Sequence, residues 1–363
     1  NITGLTTVRP NITSINYPVG GDGGREGDII TINGTGFGIV AGSVIIQIGA
    51  DSITTNSANN TVATGTIQSA FPDSNNGGTS ASGLLVTVGG TADDIRQTFY
   101  VYPTIISLTV PGGFLANTAR EYSASDTDGK IDIIGNHFGT ASTTNPLTIL
   151  GINTSGYTLW GDSSITGVQI PTSISDSSYT GSIIISRNDS KSHTFGSTFR
   201  VLPRIISTGP VDAKGSQSQA ITISGNHFCQ DANCADYATD SDDATFNGVS
   251  AKASYTAVSD TSISLSVPAT ATDGNLIITS DSANNGITYT SNNYSYNVKF
   301  APSTPTGSSV GGSNNPTATS TVFSDGTDGD THYKTAWQIA HNIDADWATP
   351  EWVRISGAAE TTI

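Results

Sequence analysis

The chain has 363 residues, room for three or four domains of roughly 100 residues each. Its formal charge of −16, with only 14 Lys and Arg, argues against nucleic acid and acidic membrane surfaces as partners. Only 12% of residues are charged, so solubility rests on Ser, Thr, Asn and Gly, the composition of secreted β-rich proteins; no window approaches the ~18 apolar residues of a membrane helix.

Residues 1–9, opening NITGLTTV, alternate weakly and carry β-branched side chains. They read as an arm that either adds a strand to the sheet edge of a neighbouring copy or lies along its own domain. No signal peptide or initiator Met opens the chain, so a processed or truncated start is expected.

From Pro10 the sequence repeats itself. PNITSINYPVG, PTIISLTVPGG and PRIISTGPVDA begin at Pro10, Pro103 and Pro203. Each is followed, in one order, by a strand ending in a glycine turn (DIITINGTGFG, KIDIIGNHFG, QAITISGNHFC) and a second strand (GSVIIQIG, NPLTILG, DATFNG). A strand ending in Pro comes next (GTIQSAFP, SSITGVQIP, TSISLSVP), then an apolar one (GLLVTV, GSIIIS, GNLIITS) and a closing strand (TFYVYP, TFRVLP, YSYNV). Most alternate apolar and polar residues, the period of a strand with one buried face. Gly, Pro, Asn and Asp clusters separate them, which predicts a two-sheet sandwich in each of 10–102, 103–202 and 203–298. Closing strands run straight into the next Pro, favouring an elongated, stiff rod.

Gly34, Gly135 and Gly225 end the second strand where positive φ is expected, and Phe37, Phe138 and Phe228 return an aromatic to plug each sandwich. His137 and His227 stand where the first repeat has Gly36. No base, nucleophile or orienting acid recurs beside them, so the motif reads as structural punctuation with one solvent-tolerant position rather than a catalytic centre.

With these motifs in hand, the chain resembles the IPT/TIG immunoglobulin-like domain family over about 10–298. The third repeat carries the resemblance best, through ITISGNHFC, ATFNGVSA and SDTSISLSVP; the second follows through IDIIGNHFG and WGDSSITGVQIP, and the first is loosest. The resemblance implies an all-β fold of tandem immunoglobulin-like sandwiches and supplies no catalytic residues. Such domains occur in bacterial surface adhesins, extracellular enzymes, cell-surface receptors and transcription factors, the last disfavoured here by charge. Residues 299–363 hold a Gly/Ser-rich linker and a segment that resembles the opening of a fibronectin type III-like sandwich, with Trp337 as its core tryptophan. Later strands of such a domain are missing, so a longer natural protein is expected.

Cys229 and Cys234 lie five apart and read as a local disulfide, in keeping with an extracellular setting; a zinc site with His227 is the weaker alternative. Acidic loops offer Asp325, Asp328 and Asp330, and Asp240, Asp242 and Asp243, as Ca²⁺ ligands or as solvated surface. Neither matches an EF-hand. Trp347 and Trp352 either stack on sugar rings or pack in their own domain. Glu26 and Glu121 lie in dissimilar contexts, so no matched carboxylate pair for glycoside hydrolysis appears, and no Gly-x-Ser-x-Gly elbow occurs. Asn-x-Ser/Thr sequons begin at Asn1, Asn11, Asn33, Asn59, Asn153, Asn188 and Asn293.

The expectation is a non-enzymatic extracellular structural or adhesive protein, most sharply a filament or surface-layer subunit. It needs no cofactor, with Ca²⁺ as an option, and its partners are copies of itself, other surface proteins or a polysaccharide. The alternatives are the stalk or carbohydrate-binding region of a secreted polysaccharide-degrading enzyme, and a phage or virion fibre.

Overall fold

The computed structural model describes residues 9–298 except 39–40, 69–82, 94–96, 113, 125–128, 143–145, 155, 175–178, 211–217, 230–233, 235–236, 238–241 and 282–286. It also gives the backbone of 334–339 and 352–357. The chain divides into two units, Asn1–Val201 and Leu202–Ile363.

The described residues are almost entirely strands and turns. In the second repeat one sheet has the order 104–109, 130–136, 164–169, 159–160, and the other 152–153, 147–149, 183–186, 192–194. The third repeat repeats the plan, with 204–209, 220–226, 262–266 and 255–259 in one sheet and 249–250, 243–246, 274–281 and 288–290 in the other. In the first repeat the long strand Asp51–Ala58 pairs with both 44–48 and 62–66, joining the two sheets into one seven-stranded path. This strand and its counterparts Leu159–Trp160 and Tyr255–Ser259 were not legible as strands in the sequence. They are short or largely polar, with little buried face to mark them.

Three separate cores form, one inside each repeat. Alternation works as the period-2 argument requires: Ile30 and Ile32, Ile131 and Ile133, and Ile221 and Ile223 all point inward from the second strand of their repeats. The first strands depart from it. In each the register shifts at the same place, between Ile12 and Ser14, Ile105 and Ser107, and Ile205 and Ser207. A bulge of this kind inserts one extra residue, so Ile106 and Ser107, and Ile206 and Ser207, are exposed in succession, the two isoleucines at 58% and 57%.

In 299–363, Lys334–Ile339 pairs antiparallel with Trp352–Gly357, and Trp337 lies opposite Arg354 in that pair. No helix among the described residues is long and apolar enough to cross a membrane.

Candidate functional site

The glycine turn is built the same way three times. Gly34, Gly135 and Gly225 do not have positive φ, contrary to the expectation from sequence; that conformation falls two residues later, at Gly36 (φ 76°), His137 (58°) and His227 (56°). Glycine is required instead by close approach. A Cβ would stand 2.2, 1.9 and 1.9 Å from the carbonyl oxygens of Asn11, Thr104 and Arg204, and within 2.6 Å of the Phe37, Phe138 and Phe228 rings. Those rings are fully buried, and the amides of Phe138 and Phe228 donate to the carbonyls of Asp162 and Asp260 at 2.9 Å. His137 and His227 are also fully buried, so the position is not solvent-tolerant.

His137 faces the preceding repeat. Its Nε2 lies 3.1 Å from Glu26 Oε1, and Asn136 Nδ2 donates to Glu26 Oε2. Arg187, 3% exposed, holds the same joint from the other sheet. Its Nη1 donates to Val101 O (3.0 Å) in the closing strand of repeat 1 and to His137 O (3.2 Å) in repeat 2, while Nε and Nη2 grip Asp189 at 2.9 and 2.6 Å. Lys191 Nζ reaches Asp22 Oδ2 at 2.5 Å, over the Tyr100 ring at 4.1 Å, and the Tyr102 hydroxyl donates to Asp22 Oδ1 at 2.6 Å. Burial alone would raise the Asp22 pKa; hydrogen bonds from Lys191 and Tyr102 outweigh it and hold the carboxyl below its usual value. Burial would lower Lys191, and Asp22 and Tyr102 reverse that, so the pair stands as an ion pair. These contacts hold two repeats together.

Sequence reasoning missed this joint because its partners lie far apart in the chain. One signal was present. Gly23–Gly24 pairs in parallel with Tyr100–Val101, and Thr118–Ala119 pairs in parallel with Arg200–Val201. Arg25–Glu26 and Arg120–Glu121 follow these short strands at the same place, so the two glutamates occupy matching contexts, correcting the reading that theirs were dissimilar. Arg120 and Glu121 are buried.

The other residues singled out from sequence fall elsewhere. Cys229 and Cys234 form a disulfide. The Asp242 carboxylate is buried and accepts the Asp281 amide, and Asp243 accepts the Tyr255 hydroxyl at 3.2 Å. Asp240, Asp325, Asp328, Asp330 and Trp347 lie outside the described residues, as does the arm at 1–8; Trp352 is described only as backbone, in its strand. Among the described residues, no group of three or more His, Cys, Asp or Glu is placed to hold a metal ion.

Residues 203–296 match the family model of the IPT/TIG domain. The third repeat is an IPT/TIG domain. Its Gly225–Phe228 turn is built as the corresponding turns of repeats 1 and 2 are. No curated protein matches the chain. Among solved structures, a Bacteroides thetaiotaomicron VPI-5482 structural genomics protein of unknown function aligns over 61% of this chain and 44% of its own, at 10% identity and a TM-score of 0.22. The N-terminal eight Ig domains of Down syndrome cell adhesion molecule align over 96% of this chain and 45% of that one, at 13% identity and a TM-score of 0.22. An auxiliary nutrient binding protein from Bacteroides thetaiotaomicron VPI-5482 aligns over 98% and 85%, at 9% identity and a TM-score of 0.24. The chain spans 44%, 53% and 45% of the first three solved structures it matches.

Proposed function

We propose that this chain is a non-enzymatic, extracellular structural or adhesive protein, acting as a subunit or stalk of a cell-surface assembly such as a filament or surface layer. The joint between repeats 1 and 2 carries the reading. Five charged side chains (Asp22, Glu26, Arg187, Asp189 and Lys191), with His137, are committed there to hydrogen bonds and ion pairs that join the repeats or brace the joint. An enzyme would aim such groups into a cleft; a spacer uses them to fix the angle between neighbours. The disulfide supports an oxidising compartment, and the IPT/TIG match supports a modular role. Partners in this reading are copies of the chain, other surface proteins or a polysaccharide, and Ca²⁺ bound by the acidic loops would stiffen the assembly.

The test is assembly of residues 1–363 followed by light scattering and negative-stain microscopy, in millimolar Ca²⁺ and in chelator. Ordered polymers or sheets support the filament or surface-layer form, and loss of order in chelator supports the calcium part. Hydrolysis of a polysaccharide by this chain would overturn the non-enzymatic reading.

A further inference from the structure

The amide of the buried isoleucine in the first strand is caught by a late side chain in all three repeats. Ile12 N donates to Asp93 Oδ2 (2.9 Å), Ile105 N to His193 Nδ1 (2.9 Å) and Ile205 N to Asn292 Oδ1 (2.7 Å). The bond anchors the strand immediately after the proline that opens each repeat, because Ile105 follows Pro103 by two residues and Ile205 follows Pro203 likewise. Asn292 accepts through an amide oxygen, which does not titrate, and Asp93 through a carboxylate. In repeat 2 the acceptor is an imidazole, and the strand it anchors follows Val101, whose carbonyl Arg187 holds at the joint with repeat 1.

We propose that the anchor of the first strand of repeat 2, next to the joint with repeat 1, is an acid-released latch, with His193 as its proton sensor. An imidazole that accepts at Nδ1 carries its proton on Nε2. Adding the second proton removes the lone pair that holds Ile105, sets one N–H against another and places a positive charge toward Arg25 of repeat 1. Among the described residues, the groups named around it are apolar, cationic or already engaged, Asp28 by the Arg25 amide (2.7 Å) among them. Ile185 is the cross-strand neighbour, and the first strand presents the Ile105 backbone. Lys191, two residues along the same segment, is bound to Asp22. Glu26, next to Arg25, is engaged by Asn136 and His137.

Burial, then the charge of Arg25, pushes His193 down to about 4 from an ordinary 6.5. The folded chain therefore binds fewer protons at this site than the unfolded chain. The contribution of His193 is complete above about pH 6.5 and is lost as the pH falls through about 4.

Hydrogen exchange read by mass spectrometry on the whole chain tests the latch, at pH 4 and pH 7.5 with labelling times corrected for intrinsic exchange. The comparison is with His193→Asn, which installs the acceptor that repeat 3 already uses. At pH 4 amides across 100–109 of the wild type should exchange about tenfold or more faster than those of the variant, and at pH 7.5 the two should coincide. Equal exchange at pH 4 overturns the proposal. Should H193N fail to fold, Arg25→Gln decides: without the neighbouring charge the imidazole protonates more readily, so the release midpoint must move to higher pH. A midpoint that stays or falls overturns the proposal.

Discussion

Arg187→Ala is the sharpest perturbation of the joint. One guanidinium makes four hydrogen bonds: two reach carbonyls of different repeats, Val101 O and His137 O, and two hold Asp189. Truncation leaves the two carbonyls without these donors in a region where the arginine side chain is only 2% exposed, at about 1–3 kcal/mol for each. Asp189, with its side chain 24% exposed, recovers water and adds little. The stem of Arg187 also packs in the joint, and its loss opens a void. Breaking a buried, charged network of this kind costs about 3–5 kcal/mol. In a unit of this size each kcal/mol moves the melting temperature by about 2–4 °C, so calorimetry should show the transition of the first unit fall by about 6–20 °C. Arg187→Lys keeps the charge without the fork and should recover only part of the loss. A change below about 1 kcal/mol in R187A would refute the argument that the joint is held by this residue.

Two further outcomes follow from the turn. Gly225→Ala places a Cβ 1.9 Å from Arg204 O and 2.5 Å from the Phe228 ring, so it should destabilise the third repeat by about 3 kcal/mol or more in urea titration, whereas Gly248→Ala, strained only by its φ of 83° with nothing within 4 Å, should cost about 1 kcal/mol. Reducing Cys229–Cys234 opens a loop five residues apart in sequence; thermal melts with and without reductant should differ by about 2 kcal/mol in the second unit, with little change in the first.

How much was legible depended on whether the signal was local. Most strands, the three cores and the buried Phe of each turn follow from alternation and from a repeated motif, and both are read within a dozen residues. The bulge in each first strand was illegible for a physical reason: PTIIS and PRIIS carry two adjacent isoleucines, and nothing in composition says that one of them and the serine after it would be exposed in succession. The glycine of the turn was identified for the wrong cause. Positive φ and close approach both select glycine, and only the coordinates separate them, assigning the first to Gly36 and the histidines and the second to Gly34, Gly135 and Gly225. The joint depends on pairs such as Asp22 with Lys191, 169 positions apart, where no local pattern exists. Its one sequence trace, Arg-Glu after a short strand in two repeats, became meaningful only when both strands paired with a closing strand.

The makeup of the joint also constrains how copies could assemble. Repeat 1 contributes the Glu26 carboxylate, which accepts from Asn136, and repeat 2 contributes the receiving pair, Asn136 with His137. The first repeat has Thr35 and Gly36 where a receiving pair would stand, and the third has no Arg-Glu in VDAKGSQSQ ahead of its second strand. A contact of this kind between repeat 1 of one copy and repeat 3 of another would need both halves on those repeats, and they carry neither. Assembly should therefore run through other surfaces, such as the bulged edge strands that expose Ile106 and Ile206. Glu26→Gln should lower the stability of the first unit, by about 1–3 kcal/mol, and leave the polymer yield unchanged. Ile106→Lys together with Ile206→Lys should do the reverse, sparing the fold and abolishing polymers in light scattering. Polymers that vanish in E26Q at temperatures where the chain remains folded would sink this division of labour, because the same carboxylate would then be serving a contact between molecules.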